Sequence, residues 1–492
     1  MELQFEKQEI EYLHQALGNV KDQELTQEIR LDSDMPDVGR VIAGWGQPVL
    51  RSKEWQGGMV GAGGGVMVWI LYAPEDGTEP RVVESWLPFQ MKWDVRSDRE
   101  GPLRILPLVR FVDGRNVSAR KILVRAGLSC LAEGLCTRCA EVFHGPEAPE
   151  DVQLLRRSYP IRLPREAGEK AFDMEEKLPL DNVAQILSYS LRPTVTEQQV
   201  HGDKVVIRGT GDVHLVYRCT EGRICTGHFE LPFSQFAELE RQYAADAMAD
   251  VIPAVTALEL TISEGSVDVK ASLVAQYTVS DRTMLELTED AYSTCRDVGL
   301  RQEEVFLPSI LDESREPVSA RAEFPDARDG VDLTFWPGFP KQHREGDRVE
   351  LSIPGRFQLL GRDSEGKLRG WHEVWEGMVS LPADPSSAMN ALFRSHASPQ
   401  MISGGRGMEG RTEGDVRMVS VSRMGLPMIT SLELGTVWEP DEFRPSLILC
   451  RTGGKELWSV AKSSCSTVEA IRMANNMKDD EGDDRMVLIP VS

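Results

Sequence analysis

From Asp203 to Tyr217 the chain alternates. Val205, Ile207, Val213, Leu215 and Tyr217 stand at odd positions, and Arg208, Thr210, Asp212 and His214 at even ones. A period of two puts successive side chains on opposite faces of an extended backbone, which predicts a half-buried β-strand. His214 falls on the polar face, where the pattern places it in solvent. Glu221-Gly222 then turns the chain, and a second extended run ends in Leu231-Pro232-Phe233, completing a hairpin.

The same hairpin recurs. Residues 145 positions earlier are Val60, Ala62, Val68, Ile70 and Tyr72, with Pro48 matching Pro193 and Gly77 matching Gly222. Leu87-Pro88-Phe89 closes that copy. Residues 144 positions later open with Gly346-Asp347-Arg348-Val349 and continue through Leu351, Ile353, Phe357 and Leu359, with Glu365-Gly366 at the turn. In this third copy the Leu-Pro-Phe closure is missing, and Pro354 inside the strand predicts an edge or a bulge. A period this long indicates tandem domains, not the short units of a solenoid.

The segments between these hairpins complete the organisation. Residues 1–27 read as a leading strand or short helix, and Met35-Pro36-Asp37 as a turn. Pro146 to Pro149 reads as a linker, and Gly404-Gly405-Arg406-Gly407 as a loop. The last stretch changes character. Ser446 to Cys450 is a short apolar strand and Gly453-Gly454 breaks it. Leu457-Trp458-Ser459-Val460-Ala461 then has helical spacing. Ser466-Thr467-Val468-Glu469 fits a capping box for a second helix with Val468, Ile471 and Ala474 on one face. Asn475-Asn476 ends it, and Met486 to Pro490 returns as a strand. The predicted fold class is therefore mainly β: three tandem antiparallel β-domains at 1–150, 151–298 and 299–444, then a βααβ module at 445–492.

Charge narrows the function classes. A formal charge of −23 opposes a grip on nucleic acid, which needs basic surface to displace counterions from phosphate. It equally opposes docking on an anionic bilayer. The first residues show no basic start with an apolar run, and no stretch approaches the ~18 apolar residues of a membrane span. Eight cysteines in 492 residues are too few for a disulfide scaffold, so the expected compartment is the reducing cytoplasm.

The candidate chemistry is thin. Gly57 to Gly65 lies inside a repeated strand, whereas a phosphate loop needs glycines that open a helix. Cys136 and Cys139 with His144 lack the second ligand pair that tetrahedral zinc usually takes. The eight histidines are scattered and no nucleophile motif accompanies them. No catalytic residue, metal or cofactor is expected, and the chain reads as a non-enzymatic protein.

Two stretches resemble known families. Gly454-Lys455-Glu456-Leu457-Trp458-Ser459-Val460-Ala461-Lys462 stands where LysM domains have Gly-Asp-Thr-Leu-Trp-x-Ile-Ala-Lys, and Thr467 to Ile471, Asn475-Asn476 and Leu488-Ile489-Pro490 follow in that family's order. The repeats resemble the SPOCS domain through Met35-Pro36-Asp37, the hairpin, Leu-Pro-Phe and Ser118-Ala119-Arg120-Lys121-Ile122. Arg444-Pro445-Ser446 leads into the tail as in that architecture. Tandem SPOCS domains with a C-terminal LysM are the layout of a family of morphogenetic proteins of endospore-formers. The resemblance implies work in the mother-cell cytoplasm at the forespore surface, during spore coat assembly. It implies a LysM module that binds the ATPase of the coat basement layer. Its partner-binding residues would be Gly454, Lys455, Glu456, Leu457, Trp458, Asn475 and Asn476, with Leu457 and Trp458 also serving the module's core. Lys455-Glu456 replaces the Asp-Thr of glycan-binding LysM domains, and the acidic insert Lys478 to Asp484 borders the same groove. The alternative is a protein of the cell wall or cortex that binds peptidoglycan through N-acetylglucosamine.

Overall fold

The computed structural model describes residues 2–97, 99–145, 147–382, 387–395, 398–404, 407–439, 445–477 and 485–491. Strand accounts for 79% and helix for 3%, so the chain is mainly β, as the alternation predicts. Residues 1–27 take the strand alternative, within Glu2–Gln4 and Glu6–Arg30. Arg406 and Gly405 of the predicted loop, Pro146 of the linker, Arg444 and the acidic insert lie outside the described residues.

Two three-stranded antiparallel sheets recur three times. In the first set, Met59–Pro74 lies between Val38–Gln56 and Arg81–Asp94. Lys121–His144 lies between Glu6–Arg30 and Leu103–Ser118. In the second, Val183–Cys219 reverses at Gly202, bringing Thr194 and Thr196 against Gly209 and Arg208. Its returning half pairs with Ile224–Tyr243. Ser266–Ser293 lies between Val152–Leu178 and Met248–Ser263. In the third, Arg348–Arg362 and Gly407–Val437 are the central strands. The hairpin turns coincide in backbone as well as in sequence. Gly57, Gly202 and Gly346 have φ of 60°, 60° and 62°, and Gly77, Gly222 and Gly366 have 73°, 81° and 77°. Side chains other than glycine rarely adopt this left-handed region, so glycine is required at each turn.

The two sheets of each set enclose a core made by the alternating apolar face. Val205, Ile207, Val213 and Leu215 are fully buried in the second, and Val349, Leu351, Ile353, Phe357 and Leu359 in the third. Each such side chain contributes roughly 1.5–3 kcal/mol relative to exposure. Pro354 departs from expectation. Its strand is central, not an edge, because Arg348–Arg362 pairs on both sides. The neighbouring strand is broken instead, into Asp329–Pro337 and Lys341–Glu345, and the Gly338 N–H donates to the Pro354 carbonyl at 2.7 Å. The break lies where proline has no N–H to offer.

The first and last strands of each set run on past the sandwich as a two-stranded stem. The three stems share one apolar cluster: Ile10 and Val142, Ile161 and Leu285, Leu307 and Leu426. Glu2–Gln4 pairs with Ser431–Glu433 of the third stem, joining the first repeat to the last. A second shared cluster joins the hairpins through Trp45, Trp69, Leu71, Leu187, Val216 and Leu360.

Polar side chains also cross between repeats, and equivalent positions carry different ones. The cross-strand pair Arg104–Glu133 of the first repeat corresponds to Asp250–Thr278 of the second and Leu392–Arg417 of the third. Arg104 donates to Glu133 at 2.5 and 2.7 Å and lies 2.7 Å from Asp250. Arg417 bonds Asp250 and holds Glu313 at 2.7 and 3.0 Å. The repeats are alike in backbone but complementary in charge at this junction, so each equivalent position favours its own neighbour over a copy of itself.

Candidate functional site

The C-terminal module is built as its apolar spacing predicts. Leu447–Arg451 pairs antiparallel with Met486–Pro490, and α1 (Leu457–Ser463) and α2 (Val468–Asn475) lie between them in sequence. Leu457, Val460, Ala461, Ile471, Val487 and Ile489 form the core. Ala474 is exposed, so the buried face of α2 centres on Ile471. The cap also shifts by one residue. Thr467 is the N-cap, its hydroxyl accepting from the Ala470 N–H at 3.0 Å. Ser466 is drawn away because its hydroxyl bonds the Pro490 carbonyl. Asn476 ends α2 in the left-handed conformation, φ 53°, which asparagine tolerates better than most side chains.

The module is docked on the stem of the second repeat. Trp458 donates its indole N–H to Asp290 at 2.8 Å and meets the Tyr292 ring edge-on at 4.8 Å. Lys462 donates to both Asp290 oxygens at 2.6 and 2.7 Å. The Tyr292 hydroxyl donates to the Ser466 carbonyl at 2.7 Å, and Tyr292 is buried. Arg157 holds Glu456 at 2.9 Å and Glu289 at 3.3 Å. Burial raises the Glu289 pKa, and Arg157 only partly opposes it. Asp290 reaches the module from a register shift between Thr288 and Asp290, an irregularity that re-aims a side chain out of the ladder.

The seven predicted residues therefore separate. Gly454 and Lys455 are exposed in the loop after the first strand, where Gly453 and Gly454 have φ of 62° and 73°. Glu456 is bound to Arg157. Leu457 is core. Trp458 packs against that core but is half-buried and turned toward Asp290, so it belongs to the docking contact as much as to the module. Asn475 ties the module together: its amide donates to the Ile471 and Leu488 carbonyls at 2.7 Å, and its oxygen accepts the Leu488 N–H at 2.8 Å. Asn476 is an exposed cap. Arg157, Glu289, Asp290 and Tyr292 escape sequence reasoning because they look like the ordinary continuation of two strands.

Replacing Asp290 by alanine removes the acceptor of both Trp458 and Lys462. The bond is part-exposed, so docking should weaken by about 1–2 kcal/mol. Limited proteolysis between residues 438 and 446 should accelerate several-fold while the repeats unfold as before. An unchanged cleavage rate would mean that Asp290 does not hold the module.

Other sequence candidates disperse. Cys136 is buried and Cys139 exposed, three positions apart on one strand and hence on opposite faces. Among the described residues no group of three or more His, Cys, Asp and Glu could hold a metal ion. His214 is not in solvent: only 8% exposed, its Nε2 lies 2.6 Å from Asp332, which also accepts the Trp45 indole N–H at 3.0 Å. From Asp212 to Arg218 the polar face of its strand meets the other repeats, through Ser398, Asp332 and Glu79, while Arg208 stays exposed. Burial lowers the His214 pKa, but the Asp332 carboxylate outweighs this and raises it. His228 stacks on it at 4.7 Å. No described helix is long and apolar enough to cross a membrane.

Residues 182–263 match the family described as SipL, SPOCS domain. That stretch is thus similar to a SPOCS domain, and it spans the second hairpin with the following strand Met248–Ser263. No curated protein and no solved structure matches.

Proposed function

We propose that this chain is a non-enzymatic structural adaptor of endospore formation, acting in the mother-cell cytoplasm at the forespore surface. The observation that carries the reading is the SPOCS match over 182–263, on a hairpin whose turns and strands recur in all three repeats. The repeats form one scaffold joined from first to last, with ion pairs and hydrogen bonds crossing between them. The tail keeps the βααβ order of a LysM-like module and carries Lys455-Glu456 at the loop that faces ligand in such modules. Its partner in this reading is the basement-layer ATPase of the coat. Glu456, bound to Arg157, is less free for a sugar than an open groove requires.

Purified full-length protein incubated separately with that ATPase and with peptidoglycan sacculi tests the proposal. Retention by the ATPase and not by sacculi is expected. Retention by sacculi alone would reassign the protein to glycan binding.

A further inference from the structure

A second surface lies away from the tail, between the first two repeats. One hollow of about 610 Å³ is lined by Trp69, Glu84 and Trp86 of the first repeat and by Glu175, Tyr189 and Glu259 of the second. A shallower one of about 810 Å³ continues from it over Gly63 and Gly64 to Phe89, and the two share Arg51, Met67 and Trp86.

The glycine run has its use here. A Cβ on Gly65 would come within 2.2 Å of the Trp86 ring, and one on Gly63 within 2.7 Å of the Ser52 hydroxyl oxygen. The bare strand is the bed on which the Trp86 indole rests. Trp69 and Tyr189 continue the aromatic wall, 4.5 Å apart, with the Trp69 N–H held by Glu84 at 2.9 Å.

Charge selects what this wall would accept. Lys270 stands between Glu259 and Glu175 in cross-strand register, so two carboxylates flank one ammonium. Asp173 and Glu84 add two more carboxylates, and Arg51 is the other cation of the lining. The Arg51 guanidinium lies 5.0 Å from the Trp86 ring centre, so the ring already takes a cation from its own chain. Aromatic faces attract cations through their quadrupole, and surplus carboxylates strengthen the preference.

We propose that this groove binds an extended lysine- or arginine-bearing segment of a partner protein, with one cationic side chain taking the place of Arg51 over Trp86 and its neighbour joining Lys270 among the carboxylates of Glu84, Asp173, Glu175 and Glu259. The site is independent of the tail and of the partner proposed for it.

The probe is an acetylated, amidated peptide of alternating glycine and arginine with three arginines, titrated into full-length protein by calorimetry at about 50 mM and about 500 mM salt. Saturable binding that weakens with salt is expected. Removing an exposed cation–π contact with Trp86→Ala should weaken it about 2–5-fold. Glu175→Gln with Glu259→Gln should weaken it comparably without disturbing the aromatic wall. Arg51→Ala should tighten it, because a competing cation leaves. Glu323→Gln with Glu345→Gln, an equal charge change at exposed positions elsewhere, should leave it unchanged. The proposal is overturned if wild type shows no saturable binding, or if the remote pair weakens it as much as the groove pair. It is also overturned if N-acetylglucosamine oligomers bind in a Trp86-dependent way and the peptide does not.

Discussion

Replacing Arg104 by alanine should destabilise the assembled repeats by about 3–5 kcal/mol, the usual cost of leaving a buried charge without its partner. Glu133 has a side chain only 7% exposed, and Arg104 is its ion-pair partner among the described residues. Arg104 also reaches Asp250 of the second repeat, which in turn is shared with Arg417 of the third. Without Arg104, Glu133 loses its ion-pair partner, Asp250 relies on an Arg417 that it shares with Glu313, and the seam between the first two repeats loses its charged tie. Urea unfolding measures the loss. Arg104→Met with Glu133→Leu should recover most of it, since an apolar pair removes the stranded charge. If Arg104→Ala unfolds at the wild-type urea concentration, the charged junction is not holding the repeats.

The same junction predicts a pH response. Burial would raise the Asp250 pKa, but Arg104 and Arg417 outweigh it and hold that carboxyl well below its ordinary range. A group whose folded pKa is depressed contributes its stability above the unfolded value, about 3.9 for Asp, and loses it as pH falls toward the folded value. Wild type should therefore keep this contribution until the solution is more acidic than about pH 4. In Arg104→Ala this contribution should be smaller and its loss complete at a less acidic pH, because the hold on Asp250 is weaker.

Much of the fold was legible because strand alternation is a local property. The face carrying Val205, Ile207, Val213 and Leu215 is decided by spacing alone, and the turn glycines at 77, 222 and 366 report their backbone angles through their identity, whereas Gly57, read as part of a strand, lies in a turn. The joining of the repeats was not legible. His214 lies on a polar face, and whether such a face meets water or another repeat depends on residues 118 positions away, here Asp332. Pro354 was misread for a similar reason, since the relief it needs comes from a break in a different strand. In the tail, the two helices and the second helix's end at Asn476 followed from spacing. The docking of Trp458 did not, because its acceptor Asp290 belongs to the second repeat.

Deleting residues 445–492 should have the larger consequence for function. The repeats keep their own cores and shared clusters, so they should stay folded, with a modest loss from uncovering Tyr292. What the truncated chain loses is the module through which the proposed partner is engaged. The decisive measurement is fluorescence imaging of tagged full-length and truncated proteins in sporulating cells, with circular dichroism of the purified truncation showing that its β-structure persists. The account predicts full-length protein around the forespore and truncated protein spread through the mother cell. A truncated protein that still encircles the forespore would contradict it and place the docking site in the repeats.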